Sequence, residues 1–292
     1  MISFLECVPC IIEQAGYVLD QTDFSKEKKK DILEEISLFV KSNFPQKAPM
    51  YIATDVHRKL RNIIKKDPYA DVKDISNDFM LKETERIKKY FEKNKNNLET
   101  MVKLVIAGNI IDIKTEKERE NLNIDVKVNE IIKKDIVINF IDDFKKFLKP
   151  GNKLLYLGDN AGEIFFDRFF IEYLKEFGLD ITFVVRGDTV INDATMIDAK
   201  IAGLDKVVKV IDNGYDAPGT CLEMCSDEFN EIYKNADFVI SKGQGNFESL
   251  NSIKDKHIFF LFLSKCSAIC KYTGTKKNDI IFGYSKKEWR KV

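Results

Sequence analysis

Acid and amide residues directly follow an apolar run near the middle of the chain. The run Lys153–Leu157 leads into the tetrapeptide Gly158–Ala161, which contains Asp159 and Asn160, and Glu163 follows. In open α/β sheets, ligands bind where strands end and helices begin. A dinucleotide site has glycines at this turn, whereas this chain presents two oxygen donors. The pattern therefore predicts a divalent-cation site that supports phosphate chemistry.

Two further polar clusters follow later apolar runs. Arg186 begins the first, which continues to Asn192 and Asp193, and the second contains Lys242 and Gly243. The carboxyl ends of parallel strands share one edge of a sheet, so we expect these clusters to lie beside the first one. Each cluster alone is equally typical of helix caps and tight turns. The occurrence of three clusters at three strand ends favours a functional site.

The residue types assign a role to each group. Asp159, Asn160 and Asp193 would bind one Mg²⁺ or Mn²⁺ through oxygen. Lys242 would neutralise the phosphoryl charge, and the backbone around Gly243 would offer N–H groups to the phosphate. We therefore expect Asp159, Asp193 and Lys242 to be catalytic. The predicted phosphate- or substrate-binding residues are Lys242, Gly243, Arg186, Asn192 and Glu163.

The elements that must position these residues divide the chain into two halves. Residues 1–149 show mainly helical periodicity, and Pro150-Gly151 is the predicted boundary. In residues 150–292, short apolar runs alternate with helical patterns, which predicts a Rossmann-like three-layer α/β/α domain with a mostly parallel sheet. Residues 126–148 are ambiguous at first and then helical. The predicted strands are Lys153–Leu157, Ile181–Val185, Lys206–Ile211, Asp237–Ser241 and His257–Leu263.

Composition excludes several classes of protein. The 292 residues include 47 basic and 47 acidic side chains, so net charge gives no reason to expect a nucleic-acid or membrane partner. With only two histidines, a three-histidine zinc site cannot form. The first residues lack the basic region of a secretory signal, and no stretch is long and apolar enough to span a bilayer. We therefore expect a cytoplasmic protein.

The cysteines and a few other residues give weaker indications. Cys7 and Cys10 have the spacing of a redox or metal motif, but they do not follow a strand as a thioredoxin motif would. A structural or incidental role is favoured over a second metal site. Lys265 follows the last long strand and could reach the same sheet edge. Asn109 could line the cleft, although turn chemistry also accounts for it.

These segments together resemble the metal-dependent damage-control phosphatase family, catalogued earlier as domain of unknown function 89. The matching segments are residues 157–163, Arg186-Gly187 with 192–195, and 242–246, and the prokaryotic, cysteine-bearing branch is also matched at 7–10, 67–69 and 107–112. The resemblance implies a helical region beside a Rossmann-like domain. It also implies metal ligands at Asp159, Asn160 and Asp193 and a phosphate-binding lysine at Lys242.

The activity implied by the resemblance is the hydrolysis of phosphomonoesters of small metabolites, including sugar phosphates and damaged phosphometabolites, with Mn²⁺, Co²⁺, Ni²⁺ or Mg²⁺. Two alternatives stay open. One is a methyltransferase that uses S-adenosylmethionine, although the glycine-rich turn is missing. The other is a non-catalytic module in which the cysteine pairs hold a metal. The substrate, the native metal and the oligomeric state are not determined by the sequence.

Overall fold

The structure is a computed structural model that describes residues 5–110 and 115–289. Helices form most of the region before residue 150, as the sequence predicts. Apolar residues at helical spacing face inward, as Ile32, Ile36 and Val40 do in the second helix, and Ser25 caps that helix by accepting from the Lys28 N–H. The helices are α1 (Cys7–Asp20), α2 (Lys26–Asn43), α3 (Pro49–Ile64), α4 (Ala70–Asn94), α5 (Leu98–Ala107), α6 (Glu116–Asn121), α7 (Ile124–Ile132) and α8 (Ile141–Lys145).

The second half alternates strands and helices, and this confirms the predicted fold class. The strands are β1 (Ile136–Asn139), β2 (Lys153–Leu157), β3 (Asp180–Val185), β4 (Lys209–Asp212), β5 (Phe238–Lys242), β6 (Ile258–Leu263) and β7 (Ile280–Tyr284). The remaining helices are α9 (Ile164–Lys175), α10 (Met196–Ile201), α11 (Asp227–Asn235), α12 (Gly243–Leu250) and α13 (Ser267–Thr273).

The seven strands form one sheet in the order β1-β7-β6-β5-β2-β3-β4. Strands β2 to β6 are parallel, whereas β7 is antiparallel to β6 and parallel to β1. All five predicted strands are therefore present. The strand β1 lies where the sequence predicts a helix after an ambiguous start, and β7 was not predicted. Strand β1 precedes residue 150 but belongs to the same sheet as the later strands. The division into residues 1–149 and 150–292 stays a prediction.

Helices cover both faces of the sheet. One face packs against α4, α5 and α9, and the phenylalanines of α9 predicted to be core (Phe165, Phe166, Phe169 and Phe170) are buried there. The other face packs against α11, α12 and α13. Helices α1 to α3 have an apolar core of their own. None of the helices in the described ranges is both long and apolar enough to cross a membrane. This layering brings the carboxyl ends of β2, β3, β5 and β6 to one edge.

Candidate metal centre

Backbone pairing joins the loops that follow β2 and β3. Asn160 and Asp193 form an isolated antiparallel bridge. The Ala161 N–H donates to the Asn192 carbonyl at 2.9 Å, and the Ala194 N–H donates to the Asp159 carbonyl at 2.8 Å. β2 and β3 are neighbouring parallel strands, so the loops that follow them leave the sheet side by side, and there they pair in the antiparallel sense. The predicted proximity of the two loops is therefore present.

Hydrogen bonds orient the side chains of the first loop. The Asn160 amide donates from Nδ2 to Asp159 Oδ2 at 2.9 Å and to Glu163 Oε2 at 3.1 Å. These bonds identify Oδ1 as the oxygen that Asn160 keeps for a ligand. Among the described residues, no donor reaches Asp159 Oδ1 or Asn160 Oδ1. The loop therefore offers one carboxylate and one amide oxygen, and both residues line a cavity.

Arg186 fixes the third predicted ligand. Its Nε donates to Asp193 Oδ2 at 2.6 Å, while Nη1 donates to Asn246 Oδ1 at 3.1 Å. Asp193 Oδ1 accepts no hydrogen bond within the described chain. Arg186 is buried and is not part of the cavity wall. Its geometry fits a residue that positions Asp193, and this differs from the prediction that Arg186 contacts phosphate.

Lys242 is also turned away from the cavity. Its ammonium group donates to Glu163 Oε1 at 2.7 Å, to Asp167 Oδ1 at 2.6 Å and to the Val105 carbonyl at 3.3 Å. The side chain is 0% exposed. Because an ammonium has three protons and all three are used, Lys242 has none left for a phosphate. In this structure Lys242 holds Glu163, which in turn orients Asn160, and a phosphate-binding role for Lys242 stays a prediction.

Two other predicted residues contact Asp159 or Asn160 from the side away from the cavity. Glu163 is buried and bonds to Lys242, Asn160 and Asn109, so it does not face the cavity. Gly243 has a φ of +77°, and a Cβ there would overlap the Asp159 carboxyl group. Only glycine allows the start of α12 to approach that carboxylate so closely. The geometry of Glu163 and Gly243 supports a role in positioning Asn160 and Asp159.

Asn109 contacts the predicted site residues directly, which the sequence alone does not indicate. Its Nδ2 donates to Glu163 Oε2 at 2.8 Å and to Asp159 Oδ2 at 3.3 Å. Its Oδ1 is buried and has no hydrogen-bond partner, which is uncommon for a buried amide. Asn109 also lines the cavity. The signal in the sequence was an amide at the end of a helix, which is equally typical of a turn.

The carboxylates of this network have shifted pKa values. Burial, with the charges of Glu163 and Asp193, raises the pKa of Asp159 well above its usual range. Burial also raises the pKa of Asp193, although Arg186 opposes the shift. Burial alone would raise the pKa of Glu163, but Lys242 reverses the shift and lowers it. The pKa of Asp167 rises to about 6 because burial outweighs the effect of Lys242.

The cavity has a volume of about 340 Å³ and lies between the sheet edge and helices α1, α3, α12 and α13. Of the residues predicted from the sequence, Asp159, Asn160, Asn192 and Asp193 line it. Lys265 is the single lysine or arginine in the described part of its wall. Its side chain is exposed, and its charge lowers the pKa of Asp159.

The predicted cysteines reach the same cavity. Cys7 and Cys10 line it from α1, and Cys266 lines it from the start of α13. Burial raises the pKa of the Cys10 thiol, which favours the protonated form. Within residues 5–110 and 115–289, no group of three or more His, Cys, Asp or Glu side chains is arranged to hold a metal ion. The role of Cys7 and Cys10 stays a prediction, as either a second metal site or a structural pair.

Comparison with known proteins agrees with this architecture. The model of the damage-control phosphatase ARMT1-like domain matches residues 3–281. An uncharacterized protein of Methanocaldococcus jannaschii is 34% identical over 284 residues, covering 94% of this chain and 92% of its own. A damage-control phosphatase of Pyrococcus horikoshii is 33% identical over 285 residues, covering 94% and 96%.

A solved structure extends the similarity to three dimensions. The crystal structure of a DUF89 family protein from Pyrococcus horikoshii superposes with a TM-score of 0.88 at 28% identity, covering 98% of this chain and 100% of the other. The sequence match and the structural match thus each span nearly the whole chain. The chain belongs to the damage-control phosphatase ARMT1-like family.

Proposed function

We propose that this protein is a metal-dependent phosphatase that hydrolyses phosphomonoesters of small metabolites. The names of its relatives from Pyrococcus horikoshii and Archaeoglobus fulgidus, both damage-control phosphatases, support this assignment. The family implies a divalent metal, and Mn²⁺, Mg²⁺, Co²⁺ and Ni²⁺ are the candidates. Asp159, Asn160 and Asp193 would hold it.

One observation carries the proposal: the donor set and its charge fit a divalent cation. Three oxygens that have no hydrogen-bond partner among the described residues lie on two loops that the Asn160–Asp193 bridge pairs, and carboxylate and amide oxygens are the ligands that hard cations prefer. Among the described residues, the hydrogen-bonded network around them contains four buried carboxylates (Asp159, Glu163, Asp167 and Asp193) and two buried cations, Arg186 and Lys242. A dication would balance this charge, and buried charges need such partners.

Lys265 replaces Lys242 as the proposed phosphate-binding residue. A bound metal would supply Lewis-acid polarisation of the phosphoryl group and a lowered pKa for a bound water. Lys265 would balance the phosphate charge from the part of the cavity wall that follows β6. Gln244 holds the Lys265 backbone in place, because the Gln244 side-chain oxygen accepts from the Lys265 backbone N–H. Asn192 lines the same wall as the ligands and would contact the substrate.

The cavity favours a small substrate. Its volume of about 340 Å³ lies at the lower end of the range for small-molecule sites. We propose a phosphorylated metabolite as the partner, without nucleic acid or membrane, and a cytoplasmic location. The methyltransferase alternative is not favoured, because the family match and the acid and amide donors after β2 both point to metal chemistry.

Hydrolysis of p-nitrophenyl phosphate tests the proposal. We expect activity with Mn²⁺ or Co²⁺ that EDTA abolishes. Asp193→Asn should reduce kcat/KM at least about 100-fold, because the variant loses a charged ligand. Asp188→Asn is the matched control, since Asp188 lies on the same loop but is exposed. Activity that survives both chelation and Asp193→Asn would refute the proposal.

A second variant tests the assignment of Lys265. Lys265→Met should weaken inhibition by inorganic phosphate about tenfold while leaving Mn²⁺ affinity, measured by calorimetry, within about twofold. The control is Lys271→Met, because Lys271 pairs with Glu6 and is not among the residues that line the cavity. Unchanged phosphate inhibition in Lys265→Met would show that another group binds the phosphate.

A further inference from the structure

One acidic side chain in the cavity has no role in the network described above. Glu248 lies on α12, four residues after Gln244, and it lines the cavity together with Gln244. Its carboxylate makes no hydrogen bond or ion pair with the part of the chain that the structure describes. The side chain is half-buried. A carboxylate that faces a cavity without a partner is available to a ligand.

The neighbouring polar groups are already engaged. Gln14 bonds to His57 Nε2 at 3.0 Å and to Cys10 Sγ at 3.5 Å. Gln244 bonds to the segment that carries Lys265, and Glu6 pairs with Lys271. Among the described residues of this wall, and apart from the proposed metal ligands, Glu248 is therefore the carboxylate left for a substrate.

The helix sets the position of Glu248 relative to the metal-binding loop. Gly243, at the start of α12, abuts the Asp159 carboxyl group. Glu248 comes five residues later, which places its backbone about 7 Å further along the helix axis. Glu248 thus lines the same cavity as the loop from a later turn of α12, and this favours contact with the part of the substrate beyond the phosphate.

Charge and protonation narrow the kind of group that Glu248 contacts. A carboxylate repels a phosphate dianion, so its neighbour must be neutral or a hydrogen-bond donor. Hydroxyl groups donate to a carboxylate and also accept from its protonated form. Burial raises the pKa of Glu248 to about 7, so both forms are populated near neutrality. A hydroxyl satisfies either form, whereas an ammonium group requires the ionised one.

We propose that Glu248 is a specificity-determining residue that binds a hydroxyl group on the leaving-group portion of the substrate. The inference rests on the proposed phosphatase function and refines it. Glu248 would favour phosphomonoesters whose leaving group carries a hydroxyl over those whose leaving group has none. Apolar residues nearby, including Ile11, Met50 and Ala53, would contact the carbon skeleton of the same group.

The test compares two phosphomonoesters in the metal-loaded enzyme. Glucose 6-phosphate carries hydroxyls on its leaving group, and p-nitrophenyl phosphate does not. We expect the ratio of kcat/KM for the two substrates to fall about 10- to 100-fold in Glu248→Leu, which removes the carboxyl group and its hydrogen bond. The loss should appear mainly as a higher KM for glucose 6-phosphate. Glu248→Asp should recover part of the ratio.

Controls separate this inference from the function on which it rests. Glu231→Gln, on the exposed surface of α11, should leave the ratio unchanged. Unaltered Mn²⁺ affinity in Glu248→Leu would show that the metal-binding loop is intact. An equal loss on both substrates, or an unchanged ratio, would overturn the role of Glu248. A wild-type protein without metal-dependent p-nitrophenyl phosphate hydrolysis would instead refute the phosphatase function.

Discussion

Replacement of Lys242 by methionine distinguishes a positioning lysine from a phosphate-binding one. The Lys242 ammonium is the one cation that bonds to the buried carboxylates of Glu163 and Asp167 in the described chain. Methionine preserves much of the side-chain volume but removes the charge. The substitution therefore leaves two carboxylates close together with no positive charge between them.

The expected cost follows from this geometry. Removing one partner of a buried ion pair costs about 3 to 5 kcal/mol, because the remaining charge is left uncompensated. We expect Lys242→Met to lose that amount of unfolding free energy at pH 7. The loss should be smaller at pH 5. In the variant, the pKa values of Glu163 and Asp167 rise above those in the unfolded chain, so the folded state binds more protons and its stability falls as the pH rises.

The same change should weaken metal binding. Glu163 Oε2 accepts from Asn160 Nδ2, and this bond turns Asn160 Oδ1 toward a ligand. A protonated Glu163 would hold that amide less firmly. Loss of such supporting contacts typically reduces metal affinity about 10- to 100-fold. We therefore expect Mn²⁺ affinity in Lys242→Met to fall within that range.

Urea unfolding and Mn²⁺ calorimetry measure both effects. Lys103→Met is the matched control: Lys103 is also buried, but its partner Glu99 is half exposed, so the cost should stay near 1 kcal/mol. Adding Asp167→Asn to Lys242→Met should recover part of the lost stability, because one uncompensated charge disappears. A Lys242→Met variant with near-native stability and Mn²⁺ affinity, but without phosphate inhibition, would refute the positioning role.

Two further predictions concern backbone and pH. Gly243→Ala should weaken Mn²⁺ binding at least tenfold, because the added Cβ would displace the Asp159 carboxylate. Gly151 is the control, since it also has a positive φ but has open space around it. Gly151→Ala should therefore show only backbone strain of about 1 to 2 kcal/mol. Burial lowers the pKa of His57 to about 4 from 6.5. Between these values the unfolded chain binds more protons, so stability falls as the pH falls. From pH 7 to pH 4 the wild type should lose about 3 kcal/mol more than His57→Gln.

Each of these predictions has an outcome that contradicts it. Equal Mn²⁺ affinities in Gly243→Ala and Gly151→Ala would show that α12 does not depend on its close approach to Asp159. Parallel pH profiles for the wild type and His57→Gln, measured by urea unfolding at several pH values, would show that His57 titrates normally in the folded protein. Gln14 would then bond to a charged imidazole.

Strand prediction succeeded where the apolar runs were continuous and bounded by turns. Strands β2 and β6 are long and buried, and their runs stand out from the flanking residues. Strand β1 has four residues and follows directly after the helical pattern of α7, so periodicity does not separate the two. Strand β7 is antiparallel, and its pairing with β6 depends on a long-range contact that local pattern does not encode.

The proximity of the predicted site residues also follows from the strand pattern. Topology alone brings the loops after β2 and β3 together, so the proximity of Asp159, Asn160 and Asp193 follows from strand order. Whether a given side chain lines the cavity depends on its direction, which strand order does not specify. Arg186 and Lys242 lie at the predicted edge but point into the protein. Lys265 lies beyond the end of β6 and remains exposed.

Strand alternation gives the missing direction for Lys242. Side chains two residues apart in a strand share a face. Phe238 and Ile240 of β5 belong to the core that includes α9, whereas Val239 belongs to the core on the opposite face. Lys242, two residues after Ile240, therefore points toward α9, which carries Asp167. A lysine on that face needs carboxylate partners because it cannot reach water, and the acids at the start of α9 meet that need.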